Sequence, residues 1–284
     1  MLESIVVVVS EMAMALYPIL IKKVPTDLTT QIFSRLILYA TLAGVFGGLH
    51  NVELVWGSVP AALKTTALGG LMTAHIASSY YAFQQLPAGI SMALFYTYPI
   101  WNLVGASLFL GESFSFSHIL LVAIAFLGAL LIIRSQRDAS EQENKPVSWS
   151  GIAAAFGAAV TESLVYFSIR GMNHSSPFKS IFALYSGAIL PFTLYLLARS
   201  QPLDFRWEIW KTLLPFHVFV GFLGIVLWAW AIPRVSTILF SLLSFFGVVA
   251  SFGWGWLFVN ETPSFDSLLG SGLITGASAI SYWV

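Results

Sequence analysis

The chain has 284 residues, 57% of them hydrophobic and only 9% charged, with 13 basic and 13 acidic side chains in balance. A soluble domain carries about 25% charged residues, so a soluble globular domain is excluded, and the balanced charge removes any case for a nucleic-acid partner. There is no cysteine, and the five histidines are scattered without metal-ligand spacing, so no disulfide framework, metal site or cofactor is expected.

In chain order, the opening MLESIVVVVS carries an acid where a signal peptide has its basic region. The first apolar run is therefore expected to stay as a helix. A membrane span needs ~20 mainly apolar residues, and ten segments qualify: 2–21, 29–49, 61–83, 87–110, 117–134, 149–170, 178–199, 211–232, 234–258 and 264–284. Unpaired backbone groups are not tolerated in lipid, so each segment should be a helix. The expected fold is an all-α polytopic membrane protein. RSQRDASEQENKPVS, Arg134 to Ser148, is the one strongly polar stretch. It divides the chain into a first five-helix unit (1–134), a linker (135–148) and a second five-helix unit (149–284).

The two units repeat. LFLGESFSF (Leu108 to Phe116) matches LFVNETPSF (Leu257 to Phe265), placing Glu112 over Glu261. YYAFQQLPAG falls near AWAIPRVSTI, LKTTALGG resembles WKTLLPFH, and VSEMAMALY resembles VTESLVYFS, which puts Glu11 over Glu162. Five spans is an odd number, so two copies must cross the membrane in opposite directions, an inverted repeat of the kind that builds secondary transporters.

Two five-helix halves, each running into LFLGE or LFVNE before its last span, resemble the drug/metabolite transporter superfamily, EamA type. Arg35 in FSRLILYA, the run YYAFQQLPAGISMALFYTYPIW and Pro99 fit the same pattern. The resemblance implies a ten-helix carrier of small metabolites working by alternating access, with a cavity lined by spans 1, 3, 4, 6, 8 and 9. YddG-type members export aromatic amino acids; other branches move nucleotide sugars, sugar phosphates or cationic drugs. Departures are visible: Gly247-Val248 stands where the first half has Tyr98-Pro99, so the kink of span 4 is not expected in span 9, and Leu184 or a neighbour stands where span 2 has Arg35.

An ionisable residue within a span is a functional candidate by default. Glu11 shares its helix face with Val7, Met14 and Pro18, and Glu162 shares its own with Ala158 and Tyr166. Both read either as proton-coupling groups or as static partners of Arg35 or His75. Arg35 cannot deprotonate; it is either a clamp on Glu11 or helix ends, or a contact for a substrate carboxylate. His75, with Ser78, Ser79 and Tyr81 around it, reads either as cavity lining or as packing. Tyr98, Trp101 and Asn102 share a face of span 4, with Tyr166 and Trp228 as further aromatic candidates able to stack on a ring or hold an ammonium. Ser244 belongs to a small polar stripe on span 9, and Gly272 and Gly276 give span 10 a GxxxG spacing; such stripes are packing seams first.

Lys22, Lys23, Arg134, Arg137, Lys145, Arg199, Arg206 and Lys211 outnumber Lys64, Arg170, Lys179 and Arg234 on the opposite side. The positive-inside rule then puts both termini outside, whereas the resemblance implies both inside; the family orientation is followed here. The expectation is a secondary active exporter of small polar metabolites, amino acids including aromatic ones foremost, in a bacterial cytoplasmic (inner) membrane. Its expected partners are the small-molecule substrate, the lipid bilayer and protons, with no nucleic acid; the oligomeric state, a monomer among the options, is left open by the sequence. The alternatives are a phosphorylated-metabolite or nucleotide-sugar antiporter, or an uncoupled facilitator. No nucleophile–base set, H-E-x-x-H motif or Asp pair points to an enzyme.

Overall fold

The computed structural model describes residues 1–50, 58–86, 88–140, 148–172, 176–259, 264–281 and 283, and among these every regular element is helical. In chain order these are α1 (Leu2–Met14), α2 (Tyr17–Lys23), α3 (Leu28–Leu49), α4 (Val59–Gln85), α5 (Ala88–Phe95), α6 (Tyr98–Leu110) and α7 (Phe116–Ser140). The second half has α8 (Trp149–Met172), α9 (Pro177–Arg199), α10 (Trp207–Phe216), a π-helical segment (His217–Phe222), α11 (Leu223–Ala231), α12 (Thr237–Ser244), α13 (Phe246–Val259) and α14 (Phe265–Ile280).

Local chemistry sets many of these starts. The side chains of Asp27, Ser58 and Ser236 accept from Thr30, Ala61 and Leu239 amides, and Ser264 with Ser267 forms a capping box at α14; each satisfies amides that a helix start leaves without partners. Two interruptions have proline as their cause. Pro18 and Pro99 have no N–H to donate one turn back, and the chain breaks just before them, at Ala15–Leu16 and Tyr96–Thr97.

Among the described residues six helical stretches are long and apolar enough to cross a membrane: Leu2–Ile21, Leu28–Leu49, Trp149–Met172, Pro177–Arg199, Trp207–Ala231 and Thr237–Phe258. Shorter apolar helices cover Tyr98–Leu110 and Phe116–Ile132. α4 has the length but carries Lys64, His75, Ser78, Ser79 and Gln84, which lower its hydropathy. The outer surface exposes large apolar side chains such as Leu108, Phe109, Leu197 and Phe219, as expected where lipid replaces water.

Small residues permit the closest crossings. A Cβ on Gly187 would lie 1.9 Å from the Thr65 carbonyl oxygen and one on Gly69 2.1 Å from the Ala188 nitrogen, so α4 and α9 meet backbone to backbone. Gly128 and Gly270 join α7 to α14 in the same way. The broadest remaining contacts pair α4 with α8, α3 with α9 and α1 with α11. The loop 201–206 is clipped to the start of α3 and the turn before it: Thr26 Oγ1 donates to Asp204 Oδ2 (3.3 Å), and the Asp204 amide donates to Thr30 Oγ1 (2.9 Å).

Four sequence expectations change. The segments at 2–21 and 234–258 are each two helices, and 87–110 is too, broken beside Pro99 where a kink of span 4 is expected. The segment at 234–258 is broken at Phe245, so the second half does have an interruption where proline is missing. Gly247 serves instead to admit Tyr96, whose hydroxyl would lie 1.6 Å from a Cβ there. α7 runs to Ser140, six residues into the expected linker, because nothing before Pro146 stops a helix. The packing seam of α14 is Gly270, Ile274 and Ala277, which are buried, whereas Gly272 and Gly276 would meet nothing within 4 Å. Glu261, the expected counterpart of Glu112, lies outside the described residues.

Candidate functional site

Glu11 and Glu162 face one internal cavity, together with Arg35, His75, Ser79, Tyr80, Tyr96 and Trp228. The space left open is about 40 Å³, room for two or three water molecules. The helix breaks at Ala15–Leu16 and Tyr96–Thr97 lie beside it, which is how α1 and α6 deliver side chains into the bundle.

Glu11 is buried and accepts a hydrogen bond from the Tyr98 hydroxyl at 2.7 Å; Ser244 and Trp228 flank it. Glu162 Oε2 lies 3.1 Å from His75 Nε2. The other ring nitrogen, Nδ1, lies 3.2 Å from the Ala158 carbonyl oxygen. A carbonyl only accepts, so Nδ1 carries a proton and donates it. Nε2 then meets the carboxyl group either as a lone pair facing a protonated acid or as an N–H facing a carboxylate. A proton shared across the contact makes it attractive in either form.

Arg35 is 3% exposed and has no ion-pair partner within 4.0 Å among the described residues. Its Nη2 donates to the Tyr185 hydroxyl at 3.1 Å and Nη1 to the Tyr80 hydroxyl at 3.5 Å, while Nε has no partner. The guanidinium carbon stands 4.5 Å from the Tyr17 ring centroid and 5.4 Å from that of Tyr39, so aromatic faces supply part of the lost hydration. Tyr17 and Tyr39 hydroxyls are hydrogen-bonded to each other, and Gly221 in the π-helical segment makes room for both. Its direct partners are neutral, and Glu162 in the same cavity offsets the charge only from beyond ion-pair range, which is expensive in a buried site.

The expected clamp of Arg35 on Glu11 is not present: Glu11 pairs with Tyr98, and Glu162 pairs with His75. Ser79 lines the cavity, and Ser244 sits beside Glu11 with its hydroxyl donating to the Phe240 carbonyl. Ser78 and Tyr81 line a separate outer groove between α4 and α9, where Tyr81 meets Ser150 at 3.1 Å. Trp101 points outward at 39% exposure. Asn102 is buried, and neither polar atom of its side chain has a partner. Tyr166 belongs to a different cluster: Arg170 donates to its hydroxyl, to the Ile232 and Val235 carbonyls (2.9 Å each) and to Glu112, which also accepts from Thr237. That clasp ties the ends of α6, α8 and α11 to the start of α12.

Sequence reasoning missed the tyrosine shell of Arg35. Tyr39 follows it by one helical turn, a spacing that places two side chains together. Tyr185 is the immediate neighbour of Leu184, the repeat position matched to Arg35, so the second half supplies its partner and not its copy. His217 is one of the five histidines that the sequence leaves scattered. It is fully buried, with Nε2 3.1 Å from Ser34 Oγ.

Comparison with known proteins agrees with this architecture. The chain is 26% identical over 235 residues to the pseudopaline exporter CntI of Pseudomonas aeruginosa strain UCBPP-PA14, covering 80% of this chain and 76% of the relative. The exporter of the same name in strain PAO1 is 26% identical over 227 residues, with the same coverage. A protein of solved crystal structure superposes with a TM-score of 0.73 at 17% identity, covering 99% of this chain and 95% of that one, a likeness of fold. The EamA-like transporter family matches residues 1–134 and 149–283. The chain belongs to the EamA-like transporter family, within the drug/metabolite transporter superfamily, and is an integral multi-pass membrane protein.

Proposed function

We propose that this protein is a proton-linked secondary transporter that exports small polar metabolites, amino acids including aromatic ones foremost, across a bacterial inner membrane by alternating access. Two inverted five-span halves would rock about the central cavity. The contact pattern supports that build: α4 packs on α8 as α11 packs on α1, α6 packs on α8 as α13 packs on α1, and α3 with α9 and α7 with α14 are self-matching pairs. The exporters among its relatives support the direction.

The observation that carries the reading is the 3.1 Å contact between Glu162 Oε2 and His75 Nε2, a pair able to share a proton. His75 comes from α4 and Glu162 from α8, one from each half. With the proton present the two groups attract. Once it leaves, a carboxylate and an imidazole lone pair face each other at 3.1 Å and repel. Proton occupancy is thereby tied to contact between the halves, which is what coupling requires. Glu11, on the Tyr98 hydroxyl, is the second carboxylate in the cavity. Arg35 and the hydroxyls of Tyr17, Tyr80 and Tyr96 are the other titratable groups facing it among the described residues.

The test is counterflow uptake in proteoliposomes with a panel of labelled amino acids, at equal and unequal pH across the membrane, for the parent, Glu11→Gln and Glu162→Gln. An amino acid should exchange, and a pH gradient should accumulate it only while Glu162 is intact. Exchange indifferent to the gradient and to both substitutions would sink proton linkage and leave an uncoupled facilitator.

A further inference from the structure

We infer that the seam where α6, α8 and α12 meet is a hydrated proton path, which joins Glu11 to the aqueous phase at the Glu112–Arg170 end of the bundle by way of Asn102 and Ser241. The inference rests on the proton-linked reading and adds the route by which a cavity carboxyl exchanges its proton. Both ends of the seam are hydrogen-bonded. At the inner end the Tyr98 hydroxyl donates to Glu11 at 2.7 Å, with Ser244 beside both. At the outer end Tyr166 donates to Thr237 Oγ1 (3.4 Å), and Thr237 donates to Glu112 Oε1 (3.1 Å). Glu112 follows the left-handed Gly111 that ends α6, and the Glu112 and Arg170 side chains are 28% and 22% exposed, so this end reaches the surface. Their pairing also spares it a net positive charge that would repel a proton.

The middle of the seam carries the argument. Tyr98 meets Ser244, and Glu112, just past α6, meets Thr237, so α6 and α12 run antiparallel. Asn102, one turn past Tyr98, and Ser241, one turn from both Thr237 and Ser244, therefore come to the same level. Both are fully buried, and Asn102 Oδ1, Asn102 Nδ2 and Ser241 Oγ have no hydrogen-bond partner among the described residues. Orphaned polar atoms brought to one level are what ordered water satisfies, since a buried water makes about three hydrogen bonds. The rise from Thr237 to Ser244 is about 10 Å, roughly four hydrogen-bond lengths, and Ser241 divides it. α8 closes the third side, where Ser163 donates to the Tyr98 carbonyl at 3.0 Å. In the relay the Glu11 O–H bond breaks as its proton passes to the nearest water, each water hands one proton onward, and the last leaves to the aqueous phase beside Glu112. The other titratable or charged neighbours of Glu11, namely Tyr96, Glu162, His75, Arg35, Tyr17 and Tyr80, line the central cavity and not the seam.

The test is stopped-flow infrared spectroscopy of the full chain in detergent micelles, mixed from ordinary into heavy water in acid buffer. The C=O stretch of the protonated Glu11 carboxyl, assigned by its loss in Glu11→Gln, shifts as deuterium replaces the proton. That readout needs neither substrate nor transport. Asn102→Leu and Ser241→Val exchange the polar atoms of the seam for apolar ones and should each slow the shift at least about tenfold, because a relay fails where one hydrogen bond is missing. Asn102→Ser keeps a hydroxyl and leaves room for water, and should stay within about twofold of the parent.

A merely structural Asn102 gives the opposite sign: its loss loosens the seam, and exchange quickens through local opening. Ser241→Val decides the matter if Asn102→Leu does not fold. Exchange unchanged or quickened in either apolar variant overturns the inference, as does a loss in Asn102→Ser equal to that in Asn102→Leu. Slowed exchange without gradient-driven accumulation in proteoliposomes keeps the path and sinks proton linkage; gradient-driven accumulation with unslowed exchange does the reverse.

Discussion

Replacing Gly247 by alanine sets a methyl group where Tyr96 already stands. The new Cβ would lie 1.6 Å from the hydroxyl oxygen, 2.4 Å from Cζ and 2.9 Å from Cε1. Ordinary contact needs about twice the shortest of these, so the phenol must retreat by about 2 Å, and a well-packed core resists that at a cost of ~1–3 kcal/mol. Tyr96 is 2% exposed, with the Phe95 and Tyr98 rings 5.4 and 5.9 Å away. Its retreat therefore presses on Tyr98, the donor to Glu11, and the upper half of that range is expected. The assay is unfolding in detergent for Gly247→Ala, Tyr96→Phe and the double variant. Deleting the hydroxyl moves the nearest obstacle from 1.6 to 2.4 Å, so the alanine should cost roughly half as much on the Tyr96→Phe background. A Gly247→Ala protein as stable as the parent, or a penalty identical on both backgrounds, would refute the reasoning.

Three further outcomes follow from contacts described above. Gly187→Ala should destabilise by about 3 kcal/mol or fail to fold, because its Cβ meets Thr65 backbone; Gly276→Ala, in open space, should gain up to about 1 kcal/mol from helix propensity, and the same unfolding assay separates them. Arg170→Met should cost roughly 2 kcal/mol, since it strips donors from two carbonyls and a carboxylate at once, whereas Glu112→Gln keeps an acceptor and should cost less than about 1 kcal/mol. Hydrogen bonds from Arg206 hold the Asp204 carboxyl down at about 2, below its ordinary 3.8. Its grip on the 201–206 loop is therefore complete above about pH 4 and fades as pH falls through 2; limited proteolysis of that loop in acid should show the loss, and Asp204→Asn should erase the pH dependence.

Six of the expected spans were legible in the sequence because lipid demands apolar runs, and so was the family, whose match falls on residues 1–134 and 149–283. What governs the site was not. Arg35 looked like a clamp on Glu11 because opposite charges attract in a linear string. Burial, however, delivers it to phenols from α3, α4 and α9, a meeting that depends on helix rotation. The break at Phe245 has no proline to announce it. Its glycine neighbour makes sense only against a tyrosine from the other half, about 150 residues away, where no local pattern can point. Ser78 and Tyr81 each stand one residue from a side chain that does line the cavity, Ser79 and Tyr80; one residue of displacement turns a helical side chain by about 100°, enough to send both to an outer groove.

The interruptions also divide the bundle mechanically. α3, α4, α7, α8, α9 and α14 run as unbroken beams, while the segments of α1–α2, α5–α6, α10–α11 and α12–α13 each carry a joint of one to six residues close to the cavity. A beam transmits a tilt along its whole length, but a jointed rod can swing one arm while the other stays seated, with only a few dihedral angles changing. Because the joints of α5–α6 and α12–α13 touch through Tyr96 and Gly247, an arm that swings on one side cannot do so without displacing the pivot of its counterpart.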